Sequence, residues 1–147
     1  MPTVWDAPVR ADLVRRLQTL TPEHTARWGK FSVAGMVAHL NDATQMALGE
    51  LPVPAKAPPF LRFAPVRYLF IHVLPMPKSA PTAPQLLARS AEADLSREQA
   101  EFAVLFARLG AATTLAATHP AFGTMTRHDW GVLCHKHIDH HLRQFGV

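Results

Sequence analysis

Residues 126–145 read TRHDWGVLCHKHIDHHLRQF, and this stretch predicts the class of the whole chain. Thr126 stands where the capping hydroxyl of a helix belongs. Beyond it Trp130, Leu133, Cys134, Ile138, Leu142 and Phe145 recur in steps close to the rhythm of an amphipathic helix running to the C-terminus. Trp130, Cys134, His137, Ile138, His141 and Phe145 form its apolar stripe, so two histidines are expected to face the interior.

Upstream, the same rhythm returns three times. Leu13, Val14, Leu17 and Leu20 place a first helix over Val9–Leu20, ended by Thr21-Pro22. Ser32 is a candidate N-cap for a second, carrying Val33, Met36, Val37, Leu40, Ala43 and Ala47, with Gly49 as its stop. The Ala-, Leu-, Glu- and Arg-rich residues from Gln85 to Leu109 predict a third, with Gly110 just beyond. Between helices two and three lie four prolines from Leu51 to Pro59, an apolar stretch over Phe60–Leu74 read as a short extra helix, and then Pro75, Pro77, Pro81 and Pro84. Sustained two-residue alternation is missing, so no sheet is expected. The reading is all-α: one domain over residues 1–147, a four-helix bundle with a long Pro-rich crossover.

Composition narrows the function classes. Hydrophobic residues make up 48% and charged residues 18% of the 147 residues, which excludes a disordered chain. The lone Cys134 excludes an internal disulfide, and the first turns, with Trp5, Asp6 and Arg10, lack a signal peptide's pattern, so the cytoplasm is expected. Phe60–Leu74 is interrupted by Arg62 and Arg67 and is too short to span a bilayer, so no membrane partner is expected. The net charge of +4 comes without a stripe of basic and aromatic residues, which argues against nucleic acid.

The chemistry lies in the histidines. There are nine, and His135, His137, His140 and His141 fall within seven residues. His137 and His141, four apart on a helix, lie one above the other and can reach one ion. Two inward imidazoles are costly to bury without partners, and a metal satisfies both. His39, on the helix-two stripe with Met36, Ala43 and Met46, is the candidate third ligand, and Asp42 and Asp139 are candidates to accept the second N–H of a ligating ring. The competing reading is an ordinary four-apart pair near a helix C-terminus, where the dipole favours cations; His140, off the shared face, fits that account. Cys134, one turn before His137, is the thiol that could complete a closed structural zinc set. His24, His119, His128 and His135 read as surface or loop residues, and His72 as a hydrogen-bonded core or pocket residue.

Trp28-Gly29-Lys30 before the helix of His39, then His119-Pro120-Ala121-Phe122-Gly123, then Trp130 with His137-Ile138-Asp139-His140-His141-Leu142-Arg143-Gln144-Phe145-Gly146, together resemble the DinB-like superfamily, in a bacterial branch of unknown function. The likeness runs from about Trp28 to the end of the chain. It implies a four-helix bundle with a long second connection, and one metal, nickel or zinc, held by His39, His137 and His141 with water completing the shell. It also implies homodimers, and relatives that are thiol-dependent S-transferases or a metal-dependent hydrolase.

Two functions follow as expectations. The first is a metal-dependent enzyme acting on a small molecule, with a low-molecular-weight thiol or water as nucleophile. There His140 and Asp42 are candidate general bases, and Arg62 or Arg67 would steer an anionic substrate if the Phe60–Leu74 helix roofs the pocket. The second is a non-catalytic metal-binding bundle acting as a structural or ligand-binding homodimer. A third possibility leaves the histidines without metal in a helical interaction protein.

Overall fold

Helix α1 (Ala7–Gln18) begins with Pro8 in its first turn, where the missing N–H costs nothing. Helix α2 (Val33–Leu48) opens on Ser32, whose hydroxyl accepts the Gly35 amide at 3.0 Å, and closes on Gly49 at φ +80°, a conformation that favours glycine. Helix α3 is short (Ala64–Tyr68), α4 spans Leu95–Ala111 and α5 spans Arg127–Gln144. At the start of α5 a reciprocal box forms: Thr126 Oγ1 accepts from the Asp129 amide, and the Asp129 carboxylate accepts from the Thr126 amide. These elements come from a computed structural model that describes residues 1–55, 57–78 and 81–147; Lys56, Ser79 and Ala80 of the Pro-rich connections lie outside the described residues.

Three expectations are corrected. The Phe60–Leu74 helix is three short pieces: a 3-10 turn (Pro59–Arg62), α3, and a π turn (Leu69–Val73) closed by the Leu74 amide on the Leu69 carbonyl at 2.9 Å. Pro65 explains the first break, since its ring opposes a helical carbonyl four residues earlier and Phe63 turns extended. The third long helix starts ten residues later than its composition suggests. Asp94 caps it by accepting the Arg97 amide at 2.9 Å, and residues 84–92 form only two 3-10 turns. Its far end also runs on, so Gly110 lies inside it. Finally, Thr118–His119 and Gly123–Thr124 pair as a two-stranded antiparallel hairpin, β1 and β2, too brief to show alternation in the sequence.

Among the described residues the chain is thus mostly helical with one small hairpin. Helix α2 lies along α4, α1 packs on α4 and α5, and α2 also meets α5. Leu13 and Leu17 of α1, Met36 and Leu40 of α2, Phe102, Phe106 and Leu109 of α4, and Trp130, Ile138 and Leu142 of α5 share one core. Each such large side chain contributes about 1.5–3 kcal/mol when fully buried. A second, smaller cluster joins Ile71 of the π turn to Val132 and Leu133 of α5. Between α2 and α4 the core includes a charge: Glu98 is 0% exposed and accepts Asn41 Nδ2 on its carboxylate at 2.9 Å, with Arg97 and Arg89 beside it. Among the described residues no helix is long and apolar enough to cross a membrane.

Candidate metal centre

Helices α2 and α5 bring His39, His137 and His141 together, each offering one ring nitrogen within 4.8 Å of the others. His39 and His141 are buried, and His137 is half-buried. The Nε2 atoms of His39 and His137 lie 3.0 Å apart. Two nitrogens of a tetrahedral site with bonds of about 2.0–2.1 Å would sit about 3.3 Å apart, so the spacing is close to that of a ligand pair.

Tautomers decide whether lone pairs are available, and the surroundings fix two of them. His39 Nδ1 lies 3.0 Å from the Leu86 carbonyl, which can only accept, so Nδ1 carries the proton and Nε2 the lone pair. Gln144 fixes His141 by a longer chain. Its amide nitrogen donates to the Trp28 carbonyl at 2.6 Å, which turns Oε1 toward His141 Nδ1 at 2.8 Å; that nitrogen must donate, leaving Nε2 free. Without an ion, the proton between His39 and His137 comes from His137 Nε2; with one, the ion takes its place.

Electrostatics agree. Burial lowers the pKa of all three imidazoles: His39 falls despite its bond to Leu86, His141 is pushed down to about 3, and His137 lies well below its ordinary value, the neighbouring histidines adding to the effect. The rings are therefore neutral at pH 7, the form that binds a metal. Phe31 braces the group, stacked on His39 at 5.2 Å and edge-on to His141 at 5.7 Å.

The backbone around Trp28 explains the Trp28-Gly29 pair. Gly29 has φ +78°, and a Cβ there would lie 2.8 Å from Gln144 Nε2. Only glycine lets the chain pass the carboxamide that orients His141.

The other expected site residues fall into different places. The supposed acceptors Asp42 and Asp139 do not bond the imidazoles. Arg89 takes Asp42 at 2.9 Å, and Arg16 and Arg143 take Asp139 at 2.8 and 2.9 Å, because full-charge partners outcompete a neutral ring. The buried Asp42 is thereby held in a bridge that runs out through the partly exposed Arg89 to Glu101. His140 stands beside the cluster, its ring 5.2 Å from His141 and 5.5 Å from Trp28, with its pKa lowered by burial. Cys134 is outside the cluster, and burial raises its thiol to about 12. Arg62 runs along Gly123 of the hairpin, and neither it nor Arg67 bonds a cluster histidine among the described residues. Two open surface clefts are lined by residues such as Leu115, Met125 and Trp130, or Ala7, Arg10 and Phe106, and among the described residues neither is lined by a histidine.

Three histidines outside the cluster are also hydrogen-bonded, His24 by accepting the Thr21 amide at 3.1 Å. His119, half-buried in the hairpin, accepts the Ala121 and Phe122 amides on Nδ1 at 3.1 and 3.3 Å, and burial lowers it to about 4. His72 is the hydrogen-bonded residue that its apolar setting suggests, with Nε2 2.8 Å from Asp129. Gln144 stands three residues after His141 on the same helix, so its reach to that ring follows from spacing. The Leu86 and Trp28 carbonyls had no signal, since backbone acceptors leave no trace in residue type.

A family described as "Protein of unknown function (DUF1569)" matches residues 8–146. No curated protein and no solved structure matches the chain.

Proposed function

The chain belongs to the DUF1569 family, and from its site we propose that it is a metal-dependent enzyme of the DinB-like four-helix-bundle type, acting on a small molecule. The observation that carries this is the locked pair of tautomers. His39 and His141 each commit Nδ1 to an outer acceptor, so each keeps Nε2 as its free nitrogen, and that of His39 lies 3.0 Å from His137 Nε2. A divalent ion held there, nickel or zinc on this reading, supplies a Lewis-acid centre that makes a bound water or thiol easier to deprotonate.

The protein's own groups do the rest. Three neutral ligands leave the ion's charge uncompensated, which favours an anionic nucleophile. His140, whose ring lies beside His141 and whose pKa is lowered by burial, is the candidate general base. Asp42 is set aside for this role because Arg89 engages it. The reaction class is hydrolysis or S-transfer from a low-molecular-weight thiol, in a homodimer of such chains.

A second reading, a bundle in which the ion only braces α2 and α5, is favoured by the deep burial of His39 and His141. Parallel measurements separate the two. Metal-loaded protein is screened against thiol-transfer and ester or amide substrates beside His140→Gln and His39→Ala, and its melting temperature is followed on chelation. The enzyme reading expects turnover lost in His39→Ala, reduced in His140→Gln with metal retained, and a modest melting shift. A large fall in melting temperature with no turnover on either substrate class overturns it in favour of the brace.

A further inference from the structure

The lysines and arginines are spread along the chain, but the carboxylates are not. Between Glu50 and Glu92 there is no Asp or Glu, while Lys56, Arg62, Arg67, Lys78 and Arg89 all lie there. That stretch holds five of the fifteen basic residues and none of the eleven acidic ones, so the remainder of the chain, ten basic against eleven acidic, is slightly negative and the net +4 originates here.

The same stretch holds most of the exposed large apolar surface. Phe60, Phe63 and Tyr68 are 60%, 64% and 61% exposed, and Leu69, Val73 and Leu74 are also exposed. These residues are not a frayed loop. On its inner side the segment is fixed to α5: Ile71 is fully buried with Val132 and Leu133, Lys136 Nζ donates to the Phe70 and Ile71 carbonyls at 2.7 and 3.1 Å, and His72 bonds Asp129. The outer side is left to water, at a cost that a chain of this size normally avoids.

We propose that residues 60–74 form a surface that lies on an anionic lipid bilayer, with the aromatic and aliphatic side chains in the headgroup boundary and Arg62 and Arg67 against acidic headgroups. Exposed Phe, Tyr and Leu interleaved with arginine is the composition of interfacial segments that rest on a membrane without crossing it. A second copy is the poorer occupant, since self-pairing would bring the arginines of both copies together with no carboxylate in the stretch to offset them. Nucleic acid would use the arginines but leave six apolar side chains without a role. The expectation of no membrane partner, drawn from the lack of a span, is revised to surface association.

The test is flotation of the full chain with vesicles of phosphatidylcholine alone or with about 30% phosphatidylglycerol, with the fluorescence of a Phe63→Trp variant as a second readout. Circular dichroism checks that each variant folds. Binding is expected to the anionic vesicles, with a blue shift in the emission of the Phe63→Trp variant. Phe60→Ser/Phe63→Ser should abolish it, and Arg62→Ala/Arg67→Ala should weaken it by about tenfold or more. The proposal is overturned if wild type floats with neither vesicle, or if the folded Phe60→Ser/Phe63→Ser variant binds as wild type does. It is equally overturned if that variant instead turns a dimer into a monomer while lipid binding is nil.

Discussion

The carboxamide of Gln144 lies 2.8 Å from Nδ1 of His141 and can only accept from it, because its other end is committed to the Trp28 carbonyl. One side chain outside the trio thus decides which nitrogen of His141 is left free for an ion. Gln144→Leu keeps the volume and removes the lock. Metal affinity should fall about 10–100-fold, measured by competition with a chromophoric chelator. Unchanged affinity would show that the ring needs no orienting partner.

Gly29→Ala tests the same chain of contacts from the backbone. The new Cβ meets Gln144 Nε2 in a left-handed conformation that alanine resists, so a loss of at least about 1 kcal/mol is expected, together with weaker metal binding. Urea unfolding with and without metal checks both.

The core of this fold was visible in the sequence, and its connections were not. Ser32, Gly49 and Thr126 mark helix ends because caps are local chemistry, and His39, His137 and His141 stand out because all three lie on apolar stripes, where an imidazole without a partner is costly. Residues 85–94 misled because their Ala and Leu content suits a helix. Tertiary demands prevail instead: Leu86 gives its carbonyl to His39, Arg89 reaches Asp42, and Asp94 serves as a cap. Asp42 and Asp139 looked like natural partners for the imidazoles only while Arg89 and Arg16, distant in sequence, were out of view.

Acid should destabilise the metal-free protein over a defined window. In the unfolded chain histidines titrate near pH 6.5, whereas His119 is held at about 4 and His141 at about 3. Their stabilising contribution is therefore complete above pH 6.5 and is lost as the pH falls from there toward 3, where the unfolded state binds more protons. Each contributes a slope of up to about 1.4 kcal/mol per pH unit. Urea titrations in chelator at several pH values measure it; a flat stability between pH 6.5 and 4 would contradict the assignment.

Cys134 should behave as a packed apolar side chain. With its thiol raised to about 12 by burial, it should resist a disulfide reagent in the native state and react promptly once unfolded. Cys134→Ser should keep its metal. Loss of metal in that variant would restore the thiol to the ligand set.

The most direct test of the metal centre is elemental analysis of protein purified without a nickel column, beside the His137→Ala/His141→Ala variant. About one divalent ion per chain is expected in the wild type and none in the variant. No metal in either, even after reconstitution with nickel or zinc, would contradict a three-histidine metal centre.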